Sequence, residues 1–137
     1  MHWSKFIISA CAITISGCSI GADIPVAEAA VTQFHSMLDA GQYATIYKDT
    51  DVEFKKTAPE EKFTKLLTVV NTKMGPVKST KQVGWNYNAT PNGHFISITY
   101  QTKFTNGDGV ESFRYKIVDK KAALVGYNIN SDTLVYN

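Results

Sequence analysis

Apolar residues recur at helical spacing in the first half of this chain and at alternate positions in the second half. Between Asp23 and Gly41 they fall three or four positions apart, which is the spacing of one helix face. These residues are Ala27, Ala30, Val31, Phe34 and Leu38. Asp23 is expected to cap the helix, Pro25 is tolerated in a first turn, and Gly41 is placed to end it. The pattern predicts a helix near residues 24–40.

A second apolar stripe predicts another helix near residues 58–74. Its members are Phe63, Leu66, Leu67, Val70 and Met74. Thr57 and Glu60 have the spacing of a capping box at its start, and Gly75-Pro76 follows its end. Between the two helices, Tyr43, Ile46 and Tyr47 indicate a shorter amphipathic segment, and the charged residues 49–56 are expected to form a loop or a frayed turn.

After Pro76 the period changes to two, which predicts strands near residues 80–88, 94–105, 110–118 and 122–130. Short turns separate them, and residues 106–109 carry a strong hairpin signal. Residues 132–137 resemble a tail or an edge extension. The order predicts an α+β fold, with N-terminal helices packed on one face of a curved four-stranded antiparallel sheet. Two sets of side chains should face each other in the core. The helices contribute Phe34, Leu38, Phe63, Leu67 and Val70, and the strands contribute Ile98, Tyr100, Phe113, Tyr115 and Val125.

The N-terminus has the three-part layout of a secretory signal. A short polar segment precedes ten largely apolar residues, and Ser16-Gly17 then supplies small residues before Cys18. Ten helical residues span about 15 Å, half of a hydrocarbon core of about 30 Å, so this run is too short to cross a membrane. Ile15-Ser16-Gly17-Cys18 looks like a bacterial lipobox, which implies cleavage after Gly17 and lipidation of Cys18. The alternative is an ordinary secretory signal with a chance cysteine.

This interpretation divides the chain into a signal peptide at residues 1–17, a lipidated tether at 18–22 and one domain at 23–137. Cleavage leaves 120 residues, enough for one core. Cys11 leaves with the signal and Cys18 is acylated, so the mature domain is expected to have no disulfide. Its formal charge of about +1 gives no overall field for nucleic acid. The scattered lysines indicate a solvated face or, alternatively, a patch for anionic lipid or glycan.

No known catalytic or metal-binding motif is present. His35 and His94 belong to no metal-ligand pattern, and nothing resembles a nucleophile elbow or a phosphate-binding glycine loop. Acids near Asp49 lack the glycine and the distal glutamate of a calcium loop. We therefore expect no catalytic residue, no metal and no cofactor. His35 is expected at the margin of the buried helix face, and His94 is expected on the surface.

Aromatic residues are the one class with functional potential, although most of them are expected in the sheet core. A curved sheet under helices can leave a cleft between the two layers. The candidate cleft residues are His35, Asp39, Tyr43, Tyr47, Trp85 and Tyr100.

Two short segments carry a resemblance to a known family. Residues 34–43 resemble the F-x-x-x-L-D-x-G-x-Y helix junction of small exported proteins grouped as domain-of-unknown-function family 4019, and Val125-Gly126-Tyr127 resembles their last strand. The resemblance covers residues 27–130. It implies a cone-like or cystatin-like α+β fold akin to nuclear transport factor 2, and it implies no activity. Cone-fold enzymes use acid–tyrosine or acid–histidine pockets, for which the candidates are Asp39 with Tyr43 or Tyr47.

Two classes of function stay open at this stage. The first is a non-catalytic lipoprotein, held to the membrane by its N-terminal lipid, that binds an envelope protein. By resemblance, Ser19 after the cysteine favours the bacterial outer membrane, facing the periplasm, and the inner membrane and the cell surface are the alternatives. The second is a small-ligand carrier or a cone-fold enzyme that uses the aromatic cleft. A tyrosine hydroxyl that points into an open cavity beside His35 or Asp39 would favour the second class. A cavity filled by Phe63, Leu67 and Trp85 would favour the first.

Overall fold

The computed structural model describes residues 20–136, which form four helices, a four-stranded sheet and a final helix. The helices are α1 (Ile20–Asp39), α2 (Tyr43–Lys48), α3 (Val52–Thr57), α4 (Glu60–Met74) and α5 (Asp132–Tyr136). The strands are β1 (Val77–Thr90), β2 (Gly93–Phe104), β3 (Gly107–Val118) and β4 (Lys121–Asn130). The predicted signal peptide and Cys18 lie outside the described residues. Within residues 20–136, no helix has the length and apolar character needed to cross a bilayer.

The sheet is an antiparallel meander in the order β1-β2-β3-β4. The predicted α+β class and the helix-then-strand order are therefore confirmed. Short turns keep consecutive strands adjacent, and the helices pack on one face because each strand has one apolar side. We call the covered side the inner face and the other side the outer face.

The core forms between α1, α4 and the inner face. Phe34 and Leu38 of α1, and Leu67 and Val70 of α4, are at most 3 % exposed. Nine of the ten residues predicted to face one another are buried, and Val125 is the exception. It occupies a β-bulge between the pairs Arg114–Gly126 and Tyr115–Leu124. The extra residue shifts the alternation, so Leu124 points into the core instead.

A second bulge alters β1. The register shifts between Gln82 and Gly84, and Val83 has no partner on β2. The alternation of inward and outward side chains is therefore interrupted at Val83 and resumes with Trp85 and Tyr87. Trp85 pairs with the buried Ile98, yet it is 51 % exposed because β1 is an edge strand. A core position for Trp85, expected with the other strand aromatics, is therefore wrong.

The predicted caps of α1 and α4 and two predictions for segments outside these helices differ from the structure. Helix α1 begins at Ile20, so Asp23 lies in its first turn rather than at its N-cap, and residues 20–22 of the predicted tether are helical. Thr57 ends α3, where its hydroxyl donates to Phe54 O, and Pro59 stands at the start of α4 without a side-chain cap. The segment 49–56 contains most of α3, whose N-cap is Asp51. The C-terminal residues 132–136 form α5.

The turns between strands are tight. Thr105 and Asn106 form the β2–β3 connection, so the hairpin predicted from residues 106–109 is present, and none of residues 105–109 has a positive φ. Left-handed backbone occurs instead at Asp119 (φ 51°) and Lys120 (φ 60°), which join β3 to β4. Two consecutive positive φ values are typical of a type I′ hairpin turn, which usually carries glycine at one position.

The outer face has side chains that are exposed or half-buried. One row crosses all four strands in register through Lys81, Gln101, Val110 and Asn130, and all four residues are exposed. Helix α3 borders this face along β4, where Asp51 N donates to Leu124 O.

Candidate functional site

A glutamate lies in the middle of the apolar inner face. Glu111 of β3 follows Gly109 and precedes Phe113 on the inward-facing side of the strand, and it is fully buried. An acidic side chain at such a position is costly unless hydrogen bonds satisfy its oxygens. The side chains around Glu111 therefore determine whether the carboxylate is satisfied and what chemistry it can support.

Three side chains bind the Glu111 carboxylate. His35 Nε2 lies 2.7 Å from Oε1, and Thr102 Oγ1 donates to the same oxygen at 2.6 Å. Tyr127 OH donates to Oε2 at 2.7 Å. Because an ionised carboxylate only accepts, Nε2 is the donating nitrogen of His35 whenever Glu111 is charged. We call these four residues the Glu111 cluster.

Four different elements supply the cluster. His35 lies on α1, next to the buried Phe34. Thr102 lies on β2, Glu111 on β3 and Tyr127 on β4. Glu111 lies opposite Tyr100, which is two residues before Thr102 on the same face of β2. Phe113, two residues after Glu111, lies opposite Tyr127. The strand register therefore brings Thr102 and Tyr127 beside the carboxylate. The cluster forms only when α1 and three strands are docked together.

Aromatic rings enclose this cluster. The Phe34 ring meets the Phe113 ring edge to face at 5.0 Å between centroids, and it lies 4.9 Å from the Tyr127 ring. The His35 ring meets Phe113 edge to face at 5.7 Å. Edge-to-face packing of this kind excludes water and fixes the ring orientations. His35 is 6 % exposed as a result.

The buried tyrosines near Glu111 hold their protons tightly. Burial, and then the charge of Glu111 and its hydrogen bond, raise the pKa of Tyr127 well above 10.0. Burial and the same carboxylate raise the pKa of Tyr115. For Tyr100, burial and the charge of Glu28 raise the pKa. All three therefore act as neutral hydroxyls near neutral pH.

Tyr115 has a buried hydroxyl with no hydrogen-bond partner among the described residues. The residue lines a cavity of about 60 Å³ between α1, α2 and β4, together with Phe34 and Ile46. Sites for small ligands usually measure about 300–1,000 Å³. This cavity has room for a water or two and not for a substrate.

The Glu111 cluster contains the groups of a general acid–base site, but a substrate cannot reach them. Glu111 is fully buried, and the interlayer space around it is filled by the core. A catalytic acid or base must lie within hydrogen-bond reach of the reacting group. In this arrangement the carboxylate, the imidazole and the phenol bind one another. Among residues 20–136, no group of three or more histidine, cysteine or acidic side chains could hold a metal ion.

The structure brings only one of the six predicted cleft residues, His35, into this cluster. Tyr100 is buried on β2, the strand next to that of Glu111, and it pairs with Glu111 in the sheet. Trp85 is exposed at the sheet edge. Asp39 accepts from Val77 N at 3.2 Å and so joins the end of α1 to the start of β1.

The two tyrosines paired with Asp39 in the sequence analysis have other partners. Tyr43 OH accepts from Asn71 Nδ2 at 2.7 Å, which joins α2 to α4. Tyr47 OH donates to Ala58 O at 2.9 Å. An Asp39–tyrosine pair is therefore not assembled, and all three side chains hold secondary structure elements together. His94 is on the surface, as predicted, with Nδ1 3.8 Å from Asp23 Oδ2.

Sequence reasoning missed Glu111, Thr102 and Tyr127 as members of a site. A signal was present for Glu111, since it is an acidic residue at an inward-facing position of an otherwise apolar alternation with Phe113 and Tyr115. Thr102 likewise shares the face of Ile98 and Tyr100. Polar residues in register on the apolar faces of neighbouring strands predict a buried hydrogen-bonded group.

A family model described as "Protein of unknown function (DUF4019)" matches residues 30–127, which include α1 from its middle, the other N-terminal helices and the sheet as far as Tyr127. No curated protein matches the chain.

Proposed function

The chain belongs to the DUF4019 family, and we propose that it is a lipid-anchored, non-catalytic envelope protein that binds another protein through the outer face of its sheet. The observation that carries this proposal is the contrast between the two faces. The polar groups able to do chemistry are sealed inside, whereas the outer face carries polar and charged side chains that no described helix covers.

The shape of the outer face supports a binding role. The row of Lys81, Gln101, Val110 and Asn130 lines a cavity of about 390 Å³ near one end of the strands. Exposed polar side chains around a cavity offer a partner hydrogen bonds and a surface of complementary shape.

The anchor rests on the sequence at Cys18. A lipid anchor with two or three acyl chains holds a protein stably at a membrane, since each buried methylene contributes about 0.8 kcal/mol. A binding protein confined in this way meets an envelope partner at a high effective concentration. We propose the periplasmic side of the outer membrane as its place of action.

Photo-crosslinking in the native bacterium tests the binding role. A photoreactive phenylalanine analogue is placed at Gln101 on the outer face or, as a matched control, at Thr68 on the exposed side of α4. We expect a reproducible protein adduct from position 101 that is absent from position 68. The same adduct from both positions, or no protein adduct from position 101, would overturn the proposal.

Mass spectrometry of the N-terminal peptide tests the anchor separately. We expect a peptide that begins at Cys18 and carries diacylglycerol, and we expect Cys18→Ser to move the protein out of the membrane fraction. An unmodified peptide that begins at Ser19 or later, or an intact Met1 terminus, would contradict lipidation.

A small-ligand carrier is the second candidate function. The 390 Å³ cavity falls in the range of small-ligand sites, and Thr102 of its wall donates to Glu111 inside the core. A carrier would release a bound small molecule in native mass spectrometry, and Val110→Trp would abolish that release by filling the cavity. Absence of a bound small molecule from the unmodified chain, together with loss of the position-101 protein adduct in Val110→Trp, favours the protein-binding role instead.

A further inference from the structure

Two cations lie close together on the outer face of β3. Arg114 and Lys116 are two residues apart on the strand, so their side chains leave the same side of the sheet. Among the described residues, neither forms an ion pair with a carboxylate. Their charges are therefore available to a ligand.

Arg114 is held in place by an aromatic ring. Its guanidinium carbon lies 4.6 Å from the centroid of the Phe95 ring, and Phe95 pairs with Lys116 across β2 and β3. Stacking on an aromatic face orders the planar guanidinium and leaves its N–H donors directed outward along its edge. An arginine ordered in this way is suited to bind a carboxylate through two parallel hydrogen bonds.

Space lies on both sides of Arg114. A cavity of about 450 Å³ is lined by Phe95, Arg114, Lys116 and Val125, and a second cavity of about 290 Å³ has Arg114 and Gly126 in its wall. Gly126 pairs directly with Arg114 and has no side chain to fill the space beside it. The bulge at Val125 adds an apolar group next to the two cations.

We propose that Arg114 and Lys116, with Phe95 and Val125 beside them, bind a protein segment in which carboxylate side chains alternate with apolar ones. This proposal rests on the protein-binding function above and names the chemistry of the partner. A lipid headgroup would need the cations alone, whereas the apolar groups fit the side chains of a peptide. Glu53 also borders the larger cavity, but its Oε1 lies 3.0 Å from Lys56 Nζ, which offsets its charge.

A titration tests the proposal with the full-length chain in a neutral detergent. The probe is a short fluorescent peptide of alternating glutamate and leucine, and its glutamine–leucine counterpart is the reference. We expect the glutamate peptide to bind more tightly than its counterpart, and we expect the double change Arg114→Gln and Lys116→Gln to weaken that binding about tenfold or more.

The control variant carries the same loss of charge at another place. Lys62→Gln with Lys65→Gln changes two exposed lysines on α4, and it should leave binding of the glutamate peptide within about twofold of the unmodified chain. Equal weakening by both double variants would show a general charge effect and overturn the site. Equal binding of the two peptides would overturn it as well.

Two further arms separate this proposal from its alternatives. If vesicles of anionic lipid bind through Arg114 and Lys116 and the glutamate peptide does not, the site recognises membrane headgroups and the proposal is wrong. If the adduct at position 101 persists while the Arg114 and Lys116 variant binds the peptide unchanged, the carboxylate site fails and the protein-binding function stands. If the chain that keeps Arg114 and Lys116 gives no protein adduct at position 101, the proposed protein-binding function itself is wrong.

Discussion

His35 and Glu111 are 76 residues apart in the chain, and their side chains meet at 2.7 Å in the core. The contact joins α1 to the inner face of β3 at a point where Glu111 is fully buried. Thr102 donates to the same carboxylate oxygen as His35, and Tyr127 donates to the other one. We therefore regard the Glu111 cluster as an element of stability and docking, and it gives the first prediction.

Glu111→Leu should lower the free energy of unfolding by about 3–5 kcal/mol, because the buried His35 and Thr102 and the half-buried Tyr127 lose their common acceptor. Urea denaturation measures the change. Glu61→Leu, an exposed position on α4, is the control and should shift stability by no more than about 0.5 kcal/mol. A loss below about 1 kcal/mol for Glu111→Leu would mean that its hydrogen bonds contribute little.

Stability should fall as the pH rises above 10. Burial holds the pKa of Tyr100, Tyr115 and Tyr127 above the ordinary 10.0 in the folded chain. The tyrosines of the unfolded chain lose their protons from about pH 10 upward while the folded ones keep them, so the folded state binds more protons and rising pH favours unfolding. The contribution is fully present below pH 10 and declines above it.

Urea denaturation at a series of alkaline pH values measures this slope. Tyr127→Phe should make it shallower, whereas Tyr136→Phe, at a position that is 82 % exposed, should leave it unchanged. The same slope in Tyr127→Phe as in the unmodified chain would exclude Tyr127 as a source of the effect.

Leu66 and Leu67 are adjacent on α4 and provide a matched test of the core. Leu67 is fully buried against the sheet, and Leu66 is 38 % exposed. Leu67→Ala should cost about 2–5 kcal/mol, because it leaves a cavity, and Leu66→Ala should cost about 1 kcal/mol or less. Thermal denaturation of both variants gives the comparison. Equal midpoints would show that α4 packs through a different side.

Lys120→Gly should stabilise the fold by about 0.5–1 kcal/mol. Lys120 has a φ of 60°, which a β-carbon disfavours and glycine adopts freely. Lys121→Gly, one position later in β4, is the control and should destabilise, since glycine weakens a strand. If Lys120→Gly lowers the melting temperature as Lys121→Gly does, the turn is not strained at that position.

The sequence predicts those parts of the fold that depend on periodicity. Phe34 and Leu38 recur at helical spacing, and Ile96 and Ile98 alternate, so their burial follows from the pattern. Bulges leave no such pattern, because one inserted residue merely shifts the alternation after it. Alternation therefore predicts Val125 in the core, whereas the bulge places Leu124 there.

The candidate site was less accessible from sequence because its members are distant along the chain. His35 was identified from its place on the helix, but no local spacing connects it to Glu111. The pairing of the two depends on how α1 crosses the sheet, and that crossing is fixed by the whole core. Asp39, Tyr43 and Tyr47 are close in sequence, yet each bonds to a different element.

The position of Glu111 also fixes the alignment of the strands during folding. If β3 slipped by one residue against its neighbours, every side chain would change faces, and Val110 or Ser112 would lie where the carboxylate belongs. His35, Thr102 and Tyr127 would then lose their common acceptor, and Glu111 would be turned to the outside. A misaligned sheet would thus expose apolar side chains and also remove the common acceptor of three polar groups, so the buried carboxylate helps to select the native pairing among those that an alternating sequence allows.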